Sequence, residues 1–174
     1  EYSILLFEEG LNSTITVKES PSGARYLAIN GKVDASDDQD MSTQVLCGHV
    51  GCLLHPGPRE VAVIGLATGV TLHSVALHPS VRRIDCMEIV PEMSAAARLF
   101  SHVNGDVLDD PRLHLILQDP RNHLALTRKR YDLIISEPSN PWMAGVANLY
   151  TRDFLRSCRE RLEPNGLMMV FLHL

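Results

Sequence analysis

The sequence has no apolar run approaching the ~20 residues needed to cross a bilayer, and no signal peptide opens it. A membrane span within this stretch and a secretory leader are therefore not expected. It also lacks a disulfide framework. Four cysteines, Cys47, Cys52, Cys86 and Cys158, are scattered without paired spacing, which makes a reducing, cytoplasmic setting the default. Positive charge is not in excess: 16 Lys and Arg stand against 21 Asp and Glu, for a net charge of -5. That balance gives no reason to expect nucleic acid as a partner and is compatible with a small or cationic substrate. The dinucleotide-binding pattern GxGxxG is missing as well. The first residue is Glu1 rather than Met, and the last residues, from Leu167 to Leu174, are an apolar run. Both ends are expected to be cuts in a longer reading frame.

What is present is ordinary globular composition, 45% hydrophobic and 21% charged residues over 174 positions, enough for one compact core with a small appended lobe. Residues 1–40 read as that lobe. Tyr2 to Phe7, Ser13 to Lys18 and Arg25 to Ile29 are short β-prone runs separated by turn clusters at Glu9-Gly10, Ser20 to Gly23 and Asn30-Gly31. The sequon at Asn12-Ser13-Thr14 reads as a polar hairpin turn. An acidic stretch from Asp34 to Asp40 leads into a helix from Met41 to Leu54, closed by Pro56-Gly57-Pro58. This helix carries Cys47, His49 and Cys52, with His55 just beyond. Four ligands so close on one helix cannot surround a single ion, so they read as partly buried helix residues and no metal is expected.

Residues 41–174 then alternate strand and helix. Val61 to Ile64 is a continuous apolar run suited to a strand buried on both faces, followed by a helix from Thr68 or Thr71 to Leu77. Further strands are expected at Arg83 to Ile89, Leu113 to Leu117, Leu133 to Ser136 and Leu167 to Leu172. Between them lie helices with Met93, Ala96, Ala97, Phe100 and Val103 on one face, a short helix from Arg121 to Thr127, and one capped by Thr151 with Phe154, Leu155, Cys158 and Leu162 inward. Pro164-Asn165-Gly166 is expected to stop that last helix. The pattern predicts an α/β fold with a doubly wound, mostly parallel sheet and a small N-terminal antiparallel lobe. Ligands of such sheets sit at the carboxyl ends of the strands.

The residues at those ends are informative. The first strand runs into Gly65-Leu66-Ala67-Thr68-Gly69, a turn whose glycines allow close backbone approach and whose following helix offers free N–H groups. The second ends at Glu88, about twenty residues on, where an acid can accept from ribose hydroxyls or simply stand in solvent. The third ends at Gln118-Asp119, where the carboxylate can reach an adenine amino group or cap the next helix. The fourth ends in Ser136-Glu137-Pro138-Ser139-Asn140-Pro141-Trp142. Here two prolines fix the backbone around an acid and an amide, next to the only Trp.

Taken together, Val61 through Gly69, His78 to Val81, Glu88-Ile89, Asp109 to Arg112, Tyr131 to Ile135 and Glu137 to Pro141 resemble the polyamine aminopropyltransferases, of which spermidine synthase is the type member. The Ser-Glu-Pro-Ser-Asn-Pro-Trp run resembles bacterial spermidine synthase-like proteins often fused to membrane segments. The resemblance implies a methyltransferase-like Rossmann fold, decarboxylated S-adenosylmethionine or S-adenosylmethionine as cofactor, an amine as small-molecule substrate, and a homodimer. It puts Gln44, Gly65, Thr68, Gly69, Glu88 and Asp119 on the cofactor, Glu137 at the catalytic acid's position, and Asn140 and Trp142 beside the substrate. It also implies that the chain stops short after its fifth strand. Departures are visible: Thr68 and Asn140 stand where the family carries Asp, Thr43 where it carries Tyr, and Glu137 is one methylene longer than the family's Asp. Methyl transfer and silent nucleoside binding are the competing activities.

Overall fold

The computed structural model describes residues 1–11, 13–138 and 145–172. Asn12 of the sequon, and Asn140 and Trp142 of the proline-fixed loop, lie outside the described residues. The chain opens with an antiparallel sheet in sequence order: β1 Ser3–Glu9, β2 Thr14–Glu19, β3 Arg25–Ile29 and β4 Lys32–Ser36. The fourth strand was not expected. Asn30 and Gly31 both take positive φ, 51° and 81°, the mirror-image turn that reverses a strand through two residues. The acidic stretch therefore begins inside a strand.

Helix α1, Met41–Leu54, leads to β5 Glu60–Ile64, α2 Val70–Ala76, β6 Arg83–Glu88, α3 Met93–Arg98, α4 Ser101–Asn104, β7 Leu113–Leu117, α5 Pro120–Leu126, β8 Tyr131–Ser136, α6 Arg152–Glu160 and β9 Leu162–Val170. The five strands lie in the order β7-β6-β5-β8-β9, every neighbouring pair parallel. The chain winds outward from β5 to β7, returns to the other side of β5 as β8, and winds out to β9. Strand order therefore switches between β5 and β8, the place where such sheets open a crevice.

Each half of the winding covers one face. Leu72 and Val75 of α2, Met93, Ala96 and Ala97 of α3, Phe100 and Cys52 pack over Val61, Val63, Leu133 and Ile135. Leu124 of α5 and Phe154 and Cys158 of α6 pack over Ala62, Ile64, Met87 and Ile134. The small sheet joins the first of these cores through Ile15, Val17, Leu27 and Ala35.

Three local expectations change. The face carrying Met93 to Val103 is divided between two short helices, α3 and α4. In α6, Thr151 does cap, its Oγ1 accepting from the Phe154 N–H at 3.3 Å, but Leu155 is exposed and Leu162 already belongs to β9. Pro164-Asn165-Gly166 does not end the helix. It sits in an irregularity of β9, because Leu162 pairs with Tyr131 whereas the next pairing is Leu167 with Leu133. Among the described residues, no helix is long and apolar enough to cross a membrane.

Candidate active site

Parallel registry levels the strand ends. Ile64 of β5 pairs with Met87 of β6 and Ser136 of β8. Gly65, Glu88 and Glu137 each follow that row by one residue, so the three expected site positions share one edge of the sheet.

Gly65 takes a φ of 95° and donates its N–H to the Met87 carbonyl at 2.9 Å. A Cβ there would meet nothing within 4 Å among the described residues, which leave the space beside this backbone open. Two residues on, Ala67 takes a φ of 43°, a left-handed conformation that costs a non-glycine residue about 1–2 kcal/mol. Such strain persists only where neighbours hold it and gathers at ligand sites. Glu88 supplies part of the hold. Its Oε2 accepts from the Leu66 N–H at 2.9 Å and its Oε1 from the Val90 N–H at 2.8 Å. Burial raises its pKa, while the backbone N–H groups of Leu66, Val90 and Ile89 work against that rise. Glu88 thus ties the glycine loop to the exit of β6, a task the sequence did not reveal.

Thr68 is fully buried and donates its hydroxyl to Gln44 Oε1. Gln44 Nε2 donates in turn to the Ser36 carbonyl at 2.8 Å and to Asp40 Oδ2 at 3.2 Å. Asp40 also accepts from the Ser36 N–H at 3.0 Å. One chain of hydrogen bonds therefore links the small sheet, the start of α1 and the glycine loop. Behind the loop, Asn104 Nδ2 donates to the Thr68 carbonyl at 2.7 Å and stands 3.0 Å from where a Cβ on Gly69 would sit.

Glu137 closes this cluster. Thr71 Oγ1 lies 2.7 Å from its Oε2, and the Cys47 thiol faces the same carboxyl. Burial raises the Glu137 pKa above the ordinary carboxylate value. The Thr71 hydroxyl and the Cys47 thiol oppose that rise, and the negative charges of Asp40 and Asp34 add to it. Burial, then Glu137, push the Cys47 thiol up to about 12. Beside it, Ser136 Oγ is buried with no hydrogen-bond partner among the described residues.

Not every candidate converges here. Asp119 caps α5, accepting from the Arg121 N–H at 2.8 Å, and its carboxylate pairs with the Arg121 guanidinium at 2.6 Å. That is the capping alternative its sequence position left open. The Cys/His group of α1 disperses: Cys47 turns to Glu137, His49 Nδ1 lies 2.9 Å from His78 Nε2, Cys52 enters the core, and His55 Nδ1 accepts from the Gly57 N–H. Conversely, the sequence did not single out Thr71, Cys47, Asp40 or Asp34 for the site. Only the crowding of acids between Asp34 and Asp40 signalled any of them.

A family model described as the spermine/spermidine synthase domain matches residues 41–171. The chain is 31% identical over 157 residues to polyamine aminopropyltransferase 1 of Pseudomonas aeruginosa, covering 89% of this chain and 54% of that protein. It is 27% identical over 168 residues to the polyamine aminopropyltransferase of Shigella boydii, covering 96% and 58%. The crystal structure of a spermidine synthase in complex with the transition state analogue AdoDATO matches the fold with a TM-score of 0.88 at 23% identity, covering 96% of this chain and 57% of that one. Spermidine synthase from Thermotoga maritima matches with a TM-score of 0.85 at 24% identity, covering 96% and 56%. The chain spans about half the length of the curated relatives it matches. By the span of the family model, which takes in well over half of its residues, the chain belongs to the spermine/spermidine synthase domain family.

Proposed function

We propose that this chain carries the site of an aminopropyl transfer from decarboxylated S-adenosylmethionine to a small amine. The observation that carries the reading is Glu137, a half-buried carboxyl at the switch point with a raised pKa, 2.7 Å from the Thr71 hydroxyl, with the Cys47 thiol and further acids beside it. A general base is most useful when its pKa lies near the working pH, and an acidic surround offsets the cost of stripping water from an ammonium.

The residues fit a nucleoside ligand. Among the described residues, Gly65 has open space beside its backbone and Ser136 Oγ is an unmatched polar atom at the same edge, while Glu88 keeps lone-pair capacity for ribose hydroxyls beyond the N–H groups it accepts. Gln44, Thr68 and Gly69 shape the loop around it. Asp119 takes the adenine amino group in this reading by releasing the Arg121 guanidinium, whose side chain is 46% exposed. When bound, a sulfonium nucleoside supplies an electrophilic carbon next to a good leaving group. Glu137 takes the proton from the attacking amine, and the family resemblance assigns recognition of that amine to Asn140 and Trp142. Thr68 and Asn140 are uncharged where the family has acids, and Asp34 and Asp40 supply negative potential in their place. The same acids disfavour the carboxylate of intact S-adenosylmethionine, which leaves methyl transfer the weaker reading.

The test is Glu137→Gln, assayed for turnover with decarboxylated S-adenosylmethionine and a diamine, and by calorimetry for methylthioadenosine. Turnover is expected to fall ~10²–10⁴-fold, the usual worth of a general base, with nucleoside affinity retained. Loss of both together would mean that Glu137 builds the pocket and does not serve the chemistry.

A further inference from the structure

The Thr71 hydroxyl has one proton and two acceptors within reach: Glu137 Oε2 at 2.7 Å and the Gln44 carbonyl oxygen at 3.0 Å. It can satisfy only one at a time. With Glu137 ionised, the hydroxyl donates to Oε2. With Glu137 neutral, the carboxyl O–H donates to Thr71 Oγ1, and the hydroxyl rotates to donate to the Gln44 carbonyl. Both states leave every participating atom paired without moving the main chain. Cys47 is a poor substitute for this, because a thiol sulfur is only a weak acceptor for a protonated carboxyl.

Resting on the reading of Glu137 as the base, we propose that Thr71 is a positioning residue for amine deprotonation. It is a two-state hydroxyl that lets the half-buried Glu137 take up a proton without leaving an unpaired polar atom. In the step, the amine N–H bond breaks, its electron pair stays on nitrogen and its proton passes to a Glu137 oxygen. The Thr71 O–H turns from Glu137 to Gln44 and is not itself broken. The charged and titratable groups facing Glu137 are Asp34 from β4, Asp40 ahead of α1 and Cys47 from α1. None is a cation, so no ion pair masks the contribution of the hydroxyl.

The test follows the Glu137 side-chain carboxyl carbon by NMR during a pH titration of glutamate-labelled protein, the signal being assigned by its loss in Glu137→Gln. In Thr71→Val, which keeps the shape and removes the hydroxyl, the midpoint is expected to rise by under about one pH unit, because the hydrogen bond lost by the ionised carboxylate is stronger than the one lost by the neutral carboxyl. In Thr71→Ser it is expected to stay at the wild-type value. The acid limb of kcat/KM should move with it in the same direction. Thr71→Ala serves in place of Thr71→Val if the latter does not give the wild-type circular dichroism spectrum. A midpoint that does not rise without the hydroxyl overturns the proposal. If instead the midpoint rises but Glu137→Gln turns over normally, the hydroxyl relay stands and the assignment of Glu137 as base falls.

Discussion

The carboxyls of Asp85 and Glu137 are pushed in opposite directions. Burial raises Asp85 of β6, but hydrogen bonds from Lys129 at 2.8 Å, Tyr131 at 3.0 Å and Arg83 at 2.7 Å outweigh it and hold the pKa below 3.8. Glu137 has neutral donors only, and burial keeps it above 4.5. The folded chain therefore binds the Glu137 proton more tightly than the unfolded chain does. Stability from this group is fully present below 4.5 and is lost as pH rises from 4.5 through the folded value. Glu137→Gln cannot ionise, so its stability relative to wild type should rise across that window, at up to about 1.4 kcal/mol per pH unit. Urea denaturation at a series of pH values measures this. Asp85 and Glu88 are common to both proteins and cancel in the difference, so a flat difference would mean that burial does not raise Glu137. Gly65, Glu88 and Glu137 were legible beforehand because each directly follows a buried apolar strand, and strand ends fix position. Thr71 and Cys47 were not, because their approach to Glu137 depends on how closely two helices pack, which no local pattern encodes.

That packing is an element-scale property, and it turns on one residue. A Cβ added at Gly48 of α1 would stand 2.4 Å from Ser74 Cβ and 2.7 Å from the Thr71 carbonyl oxygen of α2. The second of these is backbone and cannot swing aside. Gly48→Ala should therefore push the helices apart, at the ~1–3 kcal/mol typical of overpacking, and carry Thr71 away from Glu137. Chemical denaturation should show the loss of stability and the Glu137 carbon signal the changed environment. Unchanged stability would imply that α1 and α2 slide freely. Elements with firm punctuation were readable to the residue: β3 after Gly23, β7 after Pro111, and α1 ahead of Pro56. The failures share a different cause. β4 was hidden because its Asp34 opens an acidic stretch that resembles a linker, and Pro164-Asn165-Gly166 resembles a stop, yet parallel pairing with β8 absorbs it as an irregularity.

At the scale of the whole molecule, patterning distinguished an antiparallel lobe from an alternating α/β unit but gave no sign that the two share a core. Period-2 and period-3.6 patterns show which face of an element is buried, not what covers it. In the fold, Ile15, Val17 and Leu27 of the small sheet join Met93, Ala96 and Phe100 in one cluster. The polar seam reinforces the join: the Arg25 guanidinium donates to the Leu99 carbonyl, His102 Nε2 lies 2.7 Å from Asp37 Oδ2, and Gln44 bonds the Ser36 carbonyl. The consequence for the site is direct, since Asp34 and Asp40 reach Glu137 only while the small sheet is docked. Phe100 is fully buried, and Phe100→Ala should cost about 3–5 kcal/mol. A shared core requires that cost to appear equally in both sheets. Hydrogen exchange should thus show amides of β2 and β3 losing protection by the same free energy as those of β5 and β8. If the small sheet alone loses protection, the two units open separately, and the acidic surround of Glu137 depends on a docking equilibrium that a second ligand can shift.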